Sequence, residues 1–263
     1  MAIVNLTPDS FYASSRVVVR DDVERRFRAA IAEGATIVDI GGYSSRPGAE
    51  VVDVEEEWRR VSMGLDVACD MAEGVVVSID TFRADIVRRA VEKYGAIMVN
   101  DISAGEADEN MLSVVAHYDL PYVAMHMRGM PDTMQSLTEY PGGVVQGVVD
   151  YFKQRVVQLM DTGIGRERII LDPGFGFAKS VEQNWVLLRG LGALRALGFP
   201  LLIGLSRKSM LYKPLNSSPE NVLPASLALA WEVLLSGPAI LRVHDVAQTR
   251  QLVDLSNYCN SIL

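Results

Sequence analysis

The sequence predicts an α/β fold, a single (β/α)8 barrel with long loops after strands 1 and 2. Eight short apolar runs recur along the chain, each ends at polar residues, and helical segments separate them. A parallel strand that is buried on both faces must be almost entirely apolar. In a (β/α)8 barrel the carboxyl ends of all the strands meet at one mouth, where active sites lie. The pattern therefore indicates an enzyme, and the polar residues at the strand ends are its candidate site.

The predicted strands share an apolar body and a polar end. In chain order they are Ala2–Val4 before Asn5, Ile37–Ile40, Val75–Ile79 before Asp80, Ile97–Val99 before Asn100, Tyr122–Met125 before His126, Ile169–Leu171 before Asp172, Leu201–Leu205 before Ser206, and Ile240–Val243 before His244. Short strands are ordinary in parallel sheets. The polar side chains that follow them are therefore available for binding or chemistry.

The segments between the strands have helical periodicity. Apolar residues repeat at helical spacing over residues 23–31, with Asp21–Asp22 as candidate N-caps and Gly34 as a stop. Glu182–Leu197 is predicted as one helix with an apolar stripe. Leu223–Leu235 is predicted as a buried helix, because it is shorter than the roughly 20 apolar residues that a bilayer requires.

Composition limits the classes of partner and location. With 263 residues, 49% of them hydrophobic, the chain can bury one barrel core, so residues 1–263 are interpreted as a single domain. The net charge of −8 disfavours nucleic acid, because it repels phosphate backbones at long range. The first apolar run is too short for a signal peptide, and no run is long enough to cross a membrane. The two cysteines lack metal-ligand spacing, which fits a cytoplasmic protein.

The segments at the predicted mouth are the most specific signal. In chain order they are Asn5–Phe11, Gly41–Ala49, Ser78–Thr81, Asn100–Asp101, Met125–Gly129, Asp172–Phe177, Ser206–Ser209 and Arg242–Asp245. Each is weak alone, but chance does not explain so many of them in register at successive strand ends. Together they resemble the dihydropteroate synthase family of pterin-binding barrels, over nearly the whole chain. Members join a dihydropterin pyrophosphate to 4-aminobenzoate in folate biosynthesis and are usually homodimers.

The resemblance implies a pocket for the pterin ring. Its residues are Asp80, Asn100, Met125, Asp172, Phe177 and Lys208. A pterin presents an exocyclic amine and a ring N–H side by side, and carboxylates accept such donors. Lys208 would reach the ring oxygen or a ring nitrogen, with Met125 and Phe177 against the flat faces. An alternative role for Asp80 and Asp172 is to cap the helices that follow them.

The resemblance also implies a site for the departing pyrophosphate. Arg242 and His244 alternate with Val243, so both side chains point to the same side of a strand, which suits a polyanion. The family pattern gives catalytic roles to these two residues and to Lys208 and Asp80. His244 also has a structural alternative as a satisfied hydrogen-bonding residue with Asp245 nearby.

Mg²⁺ is the cofactor that the resemblance implies. Asn5 offers a neutral oxygen ligand to this ion, which keeps most of its waters and takes further oxygens from phosphates. Ser45 and Arg46 of the second long loop, Gly41–Asp53, are expected to contact pyrophosphate and close over the site. The first long loop spans Leu6–Arg20.

For 4-aminobenzoate, the family pattern points to three residues. Ser209 and the helix start around it would bind the carboxylate, and Phe11 and Pro47 would frame the ring. Substitution at the exocyclic methylene of the pterin would follow an SN1-like route, with pyrophosphate leaving before attack. No general base is needed, since an arylamine is already neutral and nucleophilic at pH 7.

The sequence departs from the usual family pattern in both long loops. Ala13-Ser14-Ser15 stands where Asp-Gly-Gly is common, which removes a loop carboxylate, and Tyr43 stands where Glu is common. Members also usually carry residues before the first strand, whereas this chain begins at the strand. Two alternatives therefore stay open: a catalytically impaired pterin-binding homologue, or a pterin-dependent methyltransferase domain. The methyltransferase would not need an anion site at Ser206–Lys208 after strand 7 or at Arg242–His244 after strand 8.

Overall fold

The computed structural model describes residues 1–7, 20–44, 52–71, 73–129 and 133–262. Within these residues strands and helices alternate along the chain. The strands are β1 (Ala2–Asn5), β2 (Ile37–Gly41), β3 (Val76–Asp80), β4 (Met98–Asp101), β5 (Tyr122–Met125), β6 (Ile169–Asp172), β7 (Leu202–Ile203) and β8 (Ile240–Leu241). The helices are α1 (Arg20–Ala32), α2 (Val54–Met71), α3 (Ala84–Tyr94), α4 (Met111–His117), α5 (Val144–Asp161), α6 (Val181–Arg189), α7 (Leu191–Arg195), α8 (Ser209–Tyr212), α9 (Leu223–Leu235) and α10 (Val246–Ser261).

The strands form a closed parallel barrel. β1 to β6 pair in chain order, and β7 pairs with β8. At the seam between β6 and β7, Leu171 N–H donates to the carbonyl of Pro200 at 2.9 Å. At the seam between β8 and β1, Ile3 N–H donates to the carbonyl of Val243 at 3.1 Å. Isolated parallel bridges accompany both seams, so the predicted (β/α)8 barrel is confirmed.

Helix α1 follows the predicted apolar spacing but begins two or three residues earlier than N-caps at Asp21 or Asp22 would require. Val23, Phe27 and Ala30 are buried against the barrel. Asp21 and Asp22 lie in the first turn, so the prediction that they are N-caps is wrong. Carboxylates in a first turn still stabilise a helix, because they face the positive end of its dipole.

The segment predicted as one helix over Glu182–Leu197 is two helices, α6 and α7. Gly190 separates them, and a Cβ added there would lie 2.4 Å from Cγ2 of Val145 on α5. The close approach of α5 therefore requires glycine at the junction between α6 and α7. The start of α6 is well determined locally, since Ser180 and Gln183 form a reciprocal capping box.

Helix α9 has the predicted bounds but is buried on one face only. Leu229, Ala230 and Val233 are buried, whereas Leu235 is 69% exposed. The prediction of a buried helix therefore holds for one face only, because a barrel helix packs one face on the strands and leaves the other outside. Among the described residues, no helix is long and apolar enough to cross a membrane.

Candidate active site

Alternation along the strands brings polar side chains into the barrel mouth. Met98, Val123, Ile170 and Leu202 form one apolar cluster, with Ile37 and Ile240 packed against it. Every second residue of a strand faces the same side, so the residues two positions further along face the same interior. They are Asp39, Asn100, Met125, Asp172 and Arg242. The mouth therefore has an apolar floor and a mostly polar lining.

Arg242 joins two carboxylates on neighbouring strands. Its Nε donates to Asp39 Oδ2 and its Nη2 donates to Asp80 Oδ2, both at 2.7 Å. Burial opposes the charge of Arg242, but Asp39 and Asp80 outweigh this effect and raise the pKa of the guanidinium. Arg242 therefore stays protonated and stabilises the negative charge of both partners. Two of its five N–H donors are used in these bonds.

Asp39 is a central acceptor of the mouth, and the sequence prediction gave it no role. It is fully buried; its Oδ1 accepts from Ser78 Oγ at 2.6 Å and its Oδ2 accepts from Asn100 Nδ2 at 3.0 Å as well as from Arg242. The signal that could have found it is local. Both faces of the strand predicted over Ile37–Ile40 are covered, so a carboxylate within this apolar run is buried whichever face it lies on. A buried carboxylate needs charged or hydrogen-bonding partners.

Asp80 lies at the end of β3, as predicted. Burial raises the pKa of Asp80, Arg242 opposes this effect, and the nearby carboxylate of Asp39 raises the pKa further. The helix that follows uses another cap, since Ala84 N–H on α3 donates to Asp108 Oδ2 at 2.8 Å. Asp80 therefore does not have the alternative role of a helix cap.

Asp172 ends β6 and begins the turn that leads to α6. Its Oδ1 accepts the N–H of Gly174 at 2.8 Å, while the N-cap of α6 is Ser180. Burial raises the pKa of Asp172, and Lys208 is the strongest opposing influence. Its Oδ2 has no hydrogen-bond partner among the described residues. Asp172 thus caps its own turn with one oxygen.

Lys208 approaches the same turn from the loop after β7. Its Nζ donates to the carbonyl of Phe175 and lies 4.8 Å from the centre of the Phe177 ring. Burial lowers the pKa of Lys208 to about 8, although the carboxylate of Asp172 opposes this effect. Met125 is buried in an apolar cluster against which Phe177 packs. Acceptor, donor and apolar surfaces therefore lie side by side.

His244 pairs with Ser206 from the end of β7. Its Nδ1 lies 3.0 Å from Ser206 Oγ, and the same oxygen accepts the backbone N–H of His244 at 3.3 Å. Burial and then the charge of Arg242 lower the pKa of His244 to about 4. The imidazole is therefore neutral at pH 7. If the Ser206 hydroxyl donates to Nδ1, the ring hydrogen is on Nε2, which is then a donor.

The residues beside His244 make a separate ion pair. Asp245 accepts from Arg207 Nη2 at 2.6 Å and from Arg207 Nε at 2.9 Å, a bidentate arrangement. Arg207 has a φ of 60° and also donates to the carbonyl of Pro219 at 3.0 Å. The pair fixes the loops after β7 and β8 to each other, and it is Ser206, not Asp245, that bonds to His244.

Asn5 lies at the end of β1, beside Gly41 of β2. A Cβ on Gly41 would lie 3.1 Å from Asn5 Oδ1 and 3.9 Å from Asp80 Oδ2. Glycine therefore keeps the space between an amide oxygen and a carboxylate oxygen open. No group of three or more His, Cys, Asp or Glu side chains among the described residues has a metal-binding arrangement. Oxygen donors of this kind fit Mg²⁺ only if further oxygens come from a ligand.

Comparison with known proteins agrees with this geometry. A family model described as pterin binding enzyme matches residues 1–244. The chain belongs to this pterin-binding enzyme family. The dihydropteroate synthase of Synechocystis sp. is 40% identical over 258 residues, 98% of this chain and 88% of that protein.

Two solved structures of dihydropteroate synthases are similar to this pterin-binding chain along almost its whole length. That of Anaplasma phagocytophilum, with bound 6-hydroxymethylpterin-monophosphate, has a TM-score of 0.88 at 30% identity and covers 98% of this chain and 97% of that chain. That of Xanthomonas albilineans, with 4-aminobenzoic acid, has a TM-score of 0.85 at 36% identity and covers 99% and 91%.

Tyr43, where this chain departs from the common pattern of the family, is part of an aromatic cluster. Its ring packs edge-on against Phe82 at 5.0 Å, and Arg83 Cζ lies 5.3 Å from its centre. Arg83 also pairs with Glu57, whose Oε2 accepts from Nη1 at 2.7 Å. Tyr43 therefore has a structural role at the base of the second loop.

Four predicted site residues, Phe11, Ser45, Arg46 and Pro47, lie outside the described residues, so their roles stay predictions. Ala13, the departure in the first loop, also lies outside them. Ser209 begins α8 directly after Lys208, as predicted for a residue at a helix start.

Proposed function

We propose that the chain is a dihydropteroate synthase, a transferase of folate biosynthesis. It condenses 6-hydroxymethyl-7,8-dihydropterin pyrophosphate with 4-aminobenzoate and releases 7,8-dihydropteroate and pyrophosphate. The observation that carries the proposal is the charge arrangement at the mouth. A buried carboxylate beside an ammonium group lies at one side, at Asp172 and Lys208, and the guanidinium of Arg242 lies at the other. The ligands named for the two solved structures support the same two substrates.

The pterin would bind between the strand ends of β3, β4 and β6. The second oxygen of Asp172 accepts a pterin N–H, and Lys208 donates to the ring oxygen or a ring nitrogen. Met125 and Phe177 would cover the ring faces, since both contribute to the apolar cluster beside Asp172. Asn100 and Asp80 would complete the polar edge of the pocket. Asn100 donates to Asp39, and the guanidinium of Arg242 donates to both Asp39 and Asp80, so one hydrogen-bond network holds the two residues.

Departure of pyrophosphate is assigned to Arg242 and His244. Arg242 has further N–H donors beyond those bonded to its carboxylates and always carries its charge. His244 contributes a neutral Nε2–H donor, so the charge of the leaving group is balanced by Arg242 and Lys208 rather than by the imidazole. Preorganised donors of this kind are the largest usual source of transition-state stabilisation.

Mg²⁺ is proposed as the cofactor, with Asn5 as its protein ligand. When bound with pyrophosphate it would neutralise part of the charge on the leaving group. The open space over Gly41, between the oxygens of Asn5 and Asp80, supports this assignment. Asn5 alone is a weak site, so the ion would bind together with the phosphates.

The substitution at the exocyclic methylene is proposed to follow an SN1-like route. The carboxylate of Asp172 and the neutral amide of Asn100 would hold the ring, which delocalises positive charge as pyrophosphate leaves. The arylamine then attacks without a general base. Ser209 at the start of α8, together with Phe11 and Pro47, is proposed to hold 4-aminobenzoate, and Ser45 and Arg46 to contact pyrophosphate.

A homodimer is proposed on the outer faces of α6, α9 and α10. Arg189 on α6 pairs with Glu232 on α9 at 3.1 Å, and α9 packs on α10. Large exposed apolar side chains lie along these helices: Val186, Leu235, Leu255 and Tyr258. Where exposed apolar side chains adjoin one another, they mark association surfaces. Light scattering after size-exclusion chromatography tests this proposal, with Leu255→Glu expected to give monomers.

The single domain over residues 1–263 and a cytoplasmic location stay predictions from the sequence.

The decisive experiment is turnover by the purified protein. The expected result is formation of 7,8-dihydropteroate from 4-aminobenzoate and the pterin pyrophosphate, dependent on Mg²⁺. Calorimetry with the pterin alone identifies an impaired homologue, which would bind the ring but release no product. Methyl transfer to a cobalamin acceptor in place of condensation would favour the methyltransferase alternative.

A further inference from the structure

A buried lysine donates hydrogen bonds to the turn that carries Asp172 and Phe177. Lys179 is 3% exposed. Its Nζ lies 3.0 Å from the carbonyl of Gly174, 2.9 Å from the carbonyl of Phe177 and 2.9 Å from Nδ1 of His126. An ammonium group has three N–H donors. One side chain therefore satisfies three acceptors, two of which belong to the turn itself.

His126 is the third acceptor and connects the turn to β5. It is 2% exposed, and its backbone N–H donates to the carbonyl of Asp172 at 2.9 Å. Burial, and then the positive charge of Lys179, lower the pKa of His126 to about 2. The imidazole is therefore neutral, so Nδ1 can accept from the ammonium. Tyr151 packs edge-on against the ring at 4.9 Å, which fixes its orientation.

The turn lies directly against the end of β5. Gly174 has a φ of 68°, and a Cβ there would lie 2.0 Å from the carbonyl oxygen of His126. Only glycine permits this contact. Further along, Gly176 N–H donates to Asn184 Oδ1 at 2.7 Å. The backbone between Asp172 and Phe177 is thus held by Lys179 at the carbonyls of Gly174 and Phe177 and by Asn184 at the N–H of Gly176.

We propose that Lys179 and His126 form a positioning pair, which sets the carboxylate of Asp172 and the ring of Phe177 in the relative positions that a pterin requires. The inference rests on the proposed function, since it deepens the pterin site. Neither residue needs to touch the ligand. Lys179 acts through the two backbone carbonyls, and His126 keeps the ammonium in place.

Lys179 also acts on the charge of Asp172. Burial raises the pKa of Asp172, and four neighbours oppose it: Lys208, the N–H of Gly174, Arg242 and Lys179. Burial lowers the pKa of Lys179 itself to about 7, so its ammonium form is present on the acid side of neutral. In that range, removal of the Lys179 charge would raise the pKa of Asp172 further. Only the ionised carboxylate is a pure acceptor for pterin N–H groups. The acid limb of the pterin-binding profile, where affinity falls as Asp172 becomes protonated, would therefore move to higher pH. A role in folding alone would leave that limb in place.

The test compares Lys179→Met with Lys153→Met, which removes an exposed lysine paired with Asp150 on the outside of α5. For Lys179→Met we expect the KM for the pterin pyrophosphate to rise about tenfold, the effect of losing a charged hydrogen bond. The KM for 4-aminobenzoate should stay unchanged. The acid limb of pterin binding, followed by calorimetry from pH 5 to 8, should shift upward. Lys153→Met should match the unsubstituted protein in all three measurements.

A second pair of variants decides the question if Lys179→Met fails to fold. His126→Asn keeps an acceptor close to the position of Nδ1 and should retain pterin affinity, whereas His126→Leu removes it and should lose about tenfold. Equal affinity in these two folded proteins overturns the positioning pair, as does a Lys179→Met variant that matches Lys153→Met.

Asp172→Asn is measured alongside. If it retains full pterin affinity, the assignment of the pterin site itself is wrong; if it loses affinity while Lys179→Met does not, only the positioning pair is wrong.

Discussion

The two sides of the barrel mouth hold their carboxylates by different means. On the side of β2, β3 and β8, the guanidinium of Arg242 pairs with Asp39 and Asp80. On the side of β6, Asp172 accepts a backbone N–H of its own turn, and Lys179 binds the carbonyls of that turn. The first side depends on ion pairs between side chains, and the second on backbone conformation. Substitutions on the first side should therefore change stability and activity together, whereas those on the second should mainly change pterin affinity.

The largest effect is expected from Arg242→Met. It leaves the fully buried Asp39 without its counter-ion, which costs about 3 kcal/mol or more of unfolding free energy. Loss of a charge-assisted contact to the leaving group should also lower turnover at least about tenfold. Denaturant unfolding and steady-state kinetics measure the two effects. Arg168→Met, which breaks an exposed pair with Asp119, is the matched control. Full turnover by a folded Arg242→Met protein would remove Arg242 from the pyrophosphate site.

Asp172→Asn should separate affinity from stability on the other side of the mouth. Asparagine keeps an oxygen for the N–H of Gly174 but presents an amide donor where the pterin has its own donors. Pterin affinity should fall at least about tenfold with little change in melting temperature. Calorimetry and thermal unfolding check this expectation. A large drop in melting temperature with intact affinity would instead assign Asp172 to the turn alone.

His244 should contribute a hydrogen bond but no charge near neutral pH. Its pKa of about 4 predicts that the imidazole resonances do not titrate between about pH 5.5 and 8. His244→Gln places an amide N–H near the position of Nε2 and should retain more activity than His244→Asn, which replaces Nδ1. NMR titration and kcat/KM for the two variants measure this. An imidazole that titrates near pH 6.5 would show that the charged form exists at the mouth and contradict the neutral assignment.

The smallest effect is expected for the long loops, as a coupling between ligands. If the loops close over pyrophosphate, 4-aminobenzoate should bind more tightly once pyrophosphate, Mg²⁺ and a pterin are present, by about 1–3 kcal/mol. Arg46→Ala should weaken that coupling without changing pterin affinity. Titration calorimetry in the presence and absence of pyrophosphate measures it. Equal 4-aminobenzoate affinity in both conditions would favour a preformed slot.

Local sequence patterns predicted the positions of most strands and of the residues at their ends. β5 has the predicted bounds Tyr122–Met125, and β1 and β6 differ only by including their terminal Asn5 and Asp172. β7 is shorter than the predicted Leu201–Leu205, and Lys208 N–H donates to the carbonyl of Leu205 in the turn that follows it. Apolar runs and the polar residues after them are properties of neighbouring positions, so the sequence alone determined the barrel and most of its mouth.

Partnerships between distant residues were decided only by the tertiary structure. Arg242 and Asp39 are separated by 203 positions, and Lys179 and His126 by 53. No local pattern encodes which buried cation neutralises which carboxylate, because that choice depends on the register and closure of the barrel. The break at Gly190 has the same origin, since only the packing of Val145 on α5 makes glycine necessary there. The sequence determined which groups reach the mouth, and the closed barrel determined their charge states and partners.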